Sequence, residues 1–314
     1  MPRTLQLAGR ELALPAFLPV TTFGGKFRLD EILRPYLPQF SPAVMVSHYY
    51  AQKMRERPAP ATFIDSGGFA SLFETASTEE VEGRFCIRAG EDSLLDPKEV
   101  LAFQQEKADI GATLDFIIPP DCPEEDARIR QDRTLQNALW AIRHREGDLR
   151  LYGSIQAWDS DSAARLTEAL AEHPFAGFAL GGMVPRISKP KSIFEIVSGI
   201  RRVDPRRPLH VFGIGSPRLI KALFDNGVDS ADSSSFVRSA VSARYLSPSS
   251  GEYIPLSEVG VPSDLCQCRV CRTFDKDYLH LEGELNTMAL ALHNLAATMS
   301  YLDLDSCPSA PTSA

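Results

Sequence analysis

The stretch "LHVFGIGSPRLIKALFDNGVDSADSS", residues 209–234, reads as one strand–helix–strand unit. Leu209 to Gly215 is a short apolar run with Val211, Phe212 and Ile214, residue types that suit a pleated ladder. Ser216 is placed to cap a helix that has Pro217 in its first turn and Gly227 as its stop. The chain then returns to a second short run, "VDSADSS", at 228–234. Two strands joined through a helix lie parallel, because the crossover carries the chain back to its starting end.

The same alternation extends through the rest of the chain. Further strands are expected at "FLPVTTF" (17–23), "AVMVSHYY" (43–50), "TFIDSGGF" (62–69), "TLDFIIPP" (113–120), "RLYGSIQ" (150–156) and "GFALGGMV" (177–184). Helical patterns separate them, including "DPKEVLAFQQEKA" with Asp96 as cap and Pro97 in the first turn, "DSDSAARLTEALAEH" and "SIFEIVSGIRRV". Eight strands alternating with helices predict an α/β fold, a TIM-type (β/α)8 barrel of parallel strands. Residues 1–260 are expected to form the barrel, 261–304 a C-terminal subdomain packed on it that contains the clustered Cys266, Cys268 and Cys271, and 305–314 a disordered tail in which Cys307 is an idle thiol.

Composition narrows the function classes. Of 314 residues, none lies in an apolar run approaching the roughly 20 residues that span a bilayer, and the N-terminus lacks a basic-then-apolar signal pattern. The expectation is a soluble, cytoplasmic protein with no membrane partner. A formal net charge of −8 argues against nonspecific wrapping of nucleic acid but leaves room for a local basic surface. Basic clusters occur at Arg186, Lys189 and Lys191, at Arg201 and Arg202, and at Arg206 and Arg207; taken singly, each reads as a solvated loop or helix end.

Cys266, Cys268 and Cys271 form a C-x-C-x-x-C cluster too tight for three separate disulfides. Structural zinc takes four tetrahedral thiolate or imidazole ligands, so the triplet needs one more donor. His280 and His293 are the candidates, and His293 is favoured because it sits in a helical apolar pattern, Leu285 to Tyr301, able to pack over the cluster. Four such ligands leave no open position for catalysis, so the zinc is expected to be structural.

In a TIM barrel the active site forms at the C-terminal ends of the strands. The expected strands end there in Asp65-Ser66-Gly67-Gly68-Phe69, Asp115 and Asp121, Gln156, Gly181-Gly182, and Asp229 with Asp232. Converging carboxylates suit glycosidic-bond chemistry, in which one attacks the anomeric carbon and another moves protons. The glycine pairs would let a flat heterocycle lie against the backbone.

With these residues assembled, the chain resembles the tRNA-guanine transglycosylases, which exchange a genetically encoded guanine for a 7-deazaguanine base. "FIDSGGFASL" is similar to the family's T-D-S-G-G-F-Q segment, "LDPKEVLAFQQEKADIGATLD" to its L-T-P-E…Q…D-I…F-D-E stretch, and "GSIQ" to its G-I-V-Q-G-G. "FALGGM" is similar to A-I-G-G-L, "NGVDSAD" to G-(I/V)-D-M-F-D, and the cysteine cluster with Tyr278-Leu279-His280 and His293-Asn294-Leu295 to the family's zinc subdomain. The resemblance implies Asp232 as nucleophile and Asp65 as the second catalytic carboxylate, a general acid/base. It implies that Asp115 holds the purine's pyrimidine-ring edge, and that Gln156 and the Gly182/Met183 backbone read the exocyclic oxygen. Ser66, Gly67 and Gly181 complete the implied base site. Cys266, Cys268, Cys271 and His293 become the zinc ligands, tRNA or DNA the polymer, and a homodimer a family implication.

The chain departs from the pattern in several places. "SSSFVRSAVSARYLSPSSGEY" replaces C-V-x-P-T-R-x-A-R-x-G, although Arg238 keeps its spacing from Asp232 and Arg244 recurs. Q-G-G is Gln156-Ala157-Trp158, Ile117 stands where bacterial members often carry cysteine, and Val184-Pro185-Arg186 follows the glycine pair without the expected glutamate. These changes spare the carboxylates, and they favour a cyano-type or other deazaguanine over an aminomethyl one. Phosphate contacts are expected from Arg186, Lys189, Lys191, Arg238 and Arg244, and from Arg269, Arg272 and Lys276 of the zinc subdomain. Two other readings compete: a noncatalytic partner subunit, against which the paired acids count, and a barrel glycosidase of small nucleosides, against which the zinc cluster counts.

Overall fold

The computed structural model describes residues 3–22, 28–51, 54, 60–90, 93–259, 266, 268–273, 279 and 283–304. The expectations for Lys276, His280, the junction at 260/261, and the tail with Cys307 fall outside these residues.

An antiparallel hairpin, β1 (Arg3–Leu7) and β2 (Arg10–Leu14), precedes β3 (Ala16–Thr21), α1 (Arg28–Leu33), β4 (Ala43–Val46), α2 (His48–Ala51) and β5 (Ala61–Ile64). A small antiparallel sheet follows, β6 (Ser77–Val81), β7 (Arg84–Arg88) and β8 (Leu94–Leu95). The alternation then runs α3 (Pro97–Lys107), β9 (Ile110–Ala112), α4 (Glu124–His144), β10 (Arg150–Ile155), α5 (Ser160–Ala171), β11 (Gly177–Leu180), α6 (Pro190–Val203), β12 (Leu209–Val211), α7 (Pro217–Asp225), β13 (Ser230–Ser233) and α8 (Ser235–Val241). A second hairpin, β14 (Arg244–Leu246) and β15 (Tyr253–Pro255), leads to α9 (Arg269–Thr273) and α10 (Glu284–Tyr301). Strands β3, β4, β5, β9, β10, β11, β12 and β13 pair in parallel in that order and close into an eight-stranded barrel, with β13 returning to β3.

Helix starts follow local chemistry. The Asp96 side chain accepts from the Lys98 amide ahead of Pro97, Asp159 and Ser162 form a reciprocal capping box, and Ser216 accepts from the Leu219 amide. The strands divide their side chains by parity. Leu18, Met45, Phe63, Ile110, Ala112, Tyr152 and Ala179 fill the barrel, whose floor is closed by Leu5, Leu7, Leu12 and Leu14 of the hairpin. Phe17, Val44, Ile64, Leu151, Phe178, Val211 and Ala231 face the helices. Each strand is therefore buried on both faces, the expected state for a parallel sheet under helices.

The fourth expected strand is displaced, and the second, third, sixth and seventh end well before their expected limits, at Val46, Ile64, Leu180 and Val211. The fourth lies at Ile110–Ala112, just before the expected 113–120. Beyond Thr113 side chains take over its amides: Thr134 accepts from Phe116, Ser71 from Ile117 and Gln156 from Ile118. The second strand ends at Val46, and His48-Tyr49-Tyr50 turns into α2. Among the described residues no helix is long and apolar enough to cross a membrane.

Candidate active site and metal cluster

The C-terminal mouth of the barrel holds a cavity of about 250 Å³. Asp65, Ser66, Gly67, Asp115, Gly181, Gly182 and Asp232, all singled out in the sequence, line it together with Ile117, Val184 and Phe212. Gln156 and Met183 are fully buried around it. Its size is near the lower end for small-molecule sites, about 300–1,000 Å³, which suits a single flat ring system.

Asp65 follows β5 directly. Its Oδ1 accepts the backbone amides of His48 at 2.8 Å and Gly67 at 2.9 Å. Burial pushes its pKa up to about 7, those amides oppose the rise, and the charge of Asp232 adds to it. Near neutrality Asp65 can therefore both hold and release a proton.

Asp115 stands on the segment that leaves β9. Ser66 Oγ donates to its Oδ1 at 2.7 Å and Gln156 Nε2 to its Oδ2 at 2.5 Å, while Gln156 Oε1 accepts from the Ile118 amide at 3.1 Å. Burial raises the Asp115 pKa, and the two donors pull against it. The backbone comes so close that a Cβ at Gly68 would collide with Asp115 Oδ1. One at Gly181 would collide with the Gln156 amide and come within 2.8 Å of Asp115 Oδ2.

Asp232, on β13, accepts at Oδ1 from the Gly213 amide at 3.0 Å, and His210 Nε2 lies 3.0 Å from the same oxygen. Sequence reasoning missed His210. The available signal was parity: His210 pairs with Ser230 in the ladder, and Asp232 lies two residues beyond on the same face. Phe69, which carries no role in the sequence reading, also lines the cavity and is 61 % exposed.

Other expectations are corrected. Asp229 precedes β13 at the opposite end of the barrel, buried and ion-paired with Arg3 and Arg201. Asp121 is exposed in a separate surface groove. Arg186 is not at the surface: its guanidinium is buried, and Nη1 donates to the carbonyls of Ile118 at 2.9 Å and Gly182 at 2.7 Å. It ties together two loops of the cavity wall. Lys189, Lys191, Arg238, Arg244, Arg269 and Arg272 are exposed.

Cys266, Cys268, Cys271 and His293 bring their ligand atoms within 4.8 Å of one another and form a cluster able to hold a metal ion. His293 Nε2 lies 3.0 Å from the Leu246 carbonyl, so Nε2–H donates outward and the Nδ1 lone pair faces the sulfurs, 3.3 Å from Cys271 Sγ and 3.6 Å from Cys268 Sγ. The ring stacks on Tyr245 at 4.1 Å. Asn294 bonds the backbone of Arg244 and Leu246, tying α10 to β14. Three thiols and an imidazole nitrogen on one point fit the donor set of a structural zinc.

The family model for queuine tRNA-ribosyltransferase matches residues 3–303. The chain is 30 % identical over 300 residues to a tRNA-guanine(15) transglycosylase of Methanopyrus kandleri, covering 93 % of this chain and 62 % of that protein. It is 26 % identical over 308 residues to the protein of that name from Pyrococcus abyssi, covering 93 % and 49 %. The chain thus spans about half to three fifths of the length of these curated relatives. With the match running from the floor hairpin through every barrel strand to the end of α10, this chain belongs to the queuine tRNA-ribosyltransferase family.

Proposed function

We propose that the chain is a pentosyltransferase that replaces guanine in tRNA with a 7-deazaguanine base through a covalent aspartyl–ribosyl intermediate. The observation that carries this reading is the presence of Asp65 and Asp232, from strands on different sides of the barrel, in one cavity walled by Asp115 and the Gly181-Gly182 backbone. The relatives' name, tRNA-guanine(15) transglycosylase, supports tRNA as the polymer.

The Asp232 carboxylate attacks C1′ of the ribose as the bond from C1′ to the purine nitrogen breaks. The electron pair of that bond goes to the purine, which takes a proton from Asp65. The incoming base returns a proton to Asp65, attacks C1′ and displaces the carboxylate, and two inversions give net retention. Asp115, Ser66, Gly67, Gln156, Gly181, Gly182 and Met183 hold the base. Lys189, Lys191, Arg238 and Arg244 contact phosphates. Cys266, Cys268, Cys271 and His293 would hold a zinc that ties α9 to α10 and supplies no chemistry. A cytoplasmic location is proposed with the tRNA substrate.

The test is incorporation of radiolabelled guanine by wild type and Asp232→Asn into bulk tRNA and into duplex and single-stranded DNA. Label in tRNA that vanishes in the variant supports the proposal. Label in DNA alone moves the chemistry to another polymer, and no label in either points to a noncatalytic subunit.

A further inference from the structure

His210 lies on β12, fully buried, with its ring packed tilted against Phe63 and edge-on against Phe212 at centroid distances of 4.8 and 4.7 Å. Its Nδ1 is 2.9 Å from Ser230 Oγ and its Nε2 is 3.0 Å from Asp232 Oδ1. An ionised carboxylate only accepts, so Nε2 carries its proton toward Asp232, whether Nδ1 accepts from the serine hydroxyl or donates to it. The Gly213 amide is a second donor to the same oxygen. Among the described residues Oδ2 accepts no hydrogen bond, and Asp232 lines the cavity.

We propose that His210 is a positioning residue for the nucleophile: bridging Ser230 and Asp232, it commits Oδ1 to hydrogen bonding and leaves Oδ2 as the attacking atom. The proposal rests on the base-exchange reading above. Its consequence concerns both half-reactions. Donors aimed at Oδ1 stabilise the full negative charge of a carboxylate more than the weaker charge on an ester oxygen. They therefore favour release of the ribosyl group when the incoming base attacks, and they limit how far the covalent adduct accumulates. The packed ring also holds one rotamer of the Asp232 side chain, so that a single oxygen faces the mouth.

The test uses the full chain with tRNA and guanine. Wild type, His210→Leu, His210→Gln and Ser230→Ala are compared for kcat, for guanine KM, and for the fraction of tRNA bound covalently on a denaturing gel at one fixed guanine concentration. In His210→Leu, kcat falls on the order of ten- to hundredfold, guanine KM stays within about twofold of wild type, and the adduct fraction rises. His210→Gln recovers part of the loss, because its amide can reach the same oxygen. Ser230→Ala shifts the adduct fraction the same way by less, and it keeps the test available if His210→Leu does not fold. Adduct falling in step with kcat, Gln no better than Leu, or no adduct change in Ser230→Ala would overturn the proposal. A wild type that forms no adduct and incorporates no label sinks the base-exchange reading itself; a wild-type adduct insensitive to all three variants sinks only the role of His210.

Discussion

Gln156 Nε2 donates to Asp115 Oδ2 at 2.5 Å, which leaves the carboxylate at the back of the cavity held from both sides, with Ser66 on the other oxygen. A base edge that reaches Asp115 therefore joins a prearranged group. Gly181 is what lets the Gln156 amide approach, since a methyl there would meet it head-on. Gly181→Ala is expected to lower kcat/KM for the free base about tenfold by breaking the Gln156–Asp115 hydrogen bond, with polymer affinity unchanged. Equal values for wild type and variant in guanine titrations would show that the pairing does not matter.

Asp65 offers a stability test with a definite sign. Its folded pKa, about 7, lies above the ordinary carboxylate value of 3.8, so the native state binds the extra proton between those limits. Stability then falls as pH rises from about 4 to about 7 and levels off above, the reverse of a salt-bridged aspartate. Asp65→Asn keeps an acceptor for the His48 and Gly67 amides without the charge. Its melting temperature should exceed that of wild type at pH 8 and match it at pH 4, while exchange is lost. Parallel melting curves at both pH values would contradict the raised pKa.

Arg186 and the neighbouring lysines should separate cleanly. Arg186→Met removes the clamp between the Ile118 and Gly182 carbonyls and is expected to weaken guanine binding with little effect on the salt dependence of tRNA affinity. Lys189→Glu with Lys191→Glu should do the opposite, reducing the salt slope by about one for each phosphate that is no longer neutralised. Salt titrations of tRNA binding beside calorimetry with guanine would expose any crossover.

The cysteine–histidine cluster makes the fourth prediction. His293 joins the thiols to the Leu246 carbonyl, so His293→Ala is expected to destabilise the chain by on the order of 4 kcal/mol. Chelator should lower the wild-type melting temperature and leave the variant's unaffected. Metal analysis reporting less than one zinc per untreated wild-type chain would remove the basis for this expectation.

The barrel was legible because each βα unit carries its own punctuation: Asp96, Asp159 and Ser216 cap their helices as their chemistry requires. The cavity residues were legible because strand ends map onto a single rim in this fold. The floor hairpin and the β6–β8 sheet were missed, since neither belongs to the alternation. Asp229 reads as a mouth residue because a run of "VDSAD" does not say where the ladder begins; its arginine partners come from 28 and 226 residues away. Arg186 reads as a surface cation because sequence carries no sign that carbonyls of two loops converge on it. His210 is passed over because a histidine inside an apolar run looks like packing until the neighbouring strand's register is known.

The placement of Asp229 and Asp232 has a practical consequence for chemical labelling. The two acids are three residues apart along β13 and its lead-in, yet the first is sealed under the hairpin against Arg3 and Arg201 and the second opens on the cavity. A sugar-like electrophile entering the mouth has access to only one of them. The barrel wall acts as a protecting group, and a mass tag on the peptide that contains both should map to Asp232 alone.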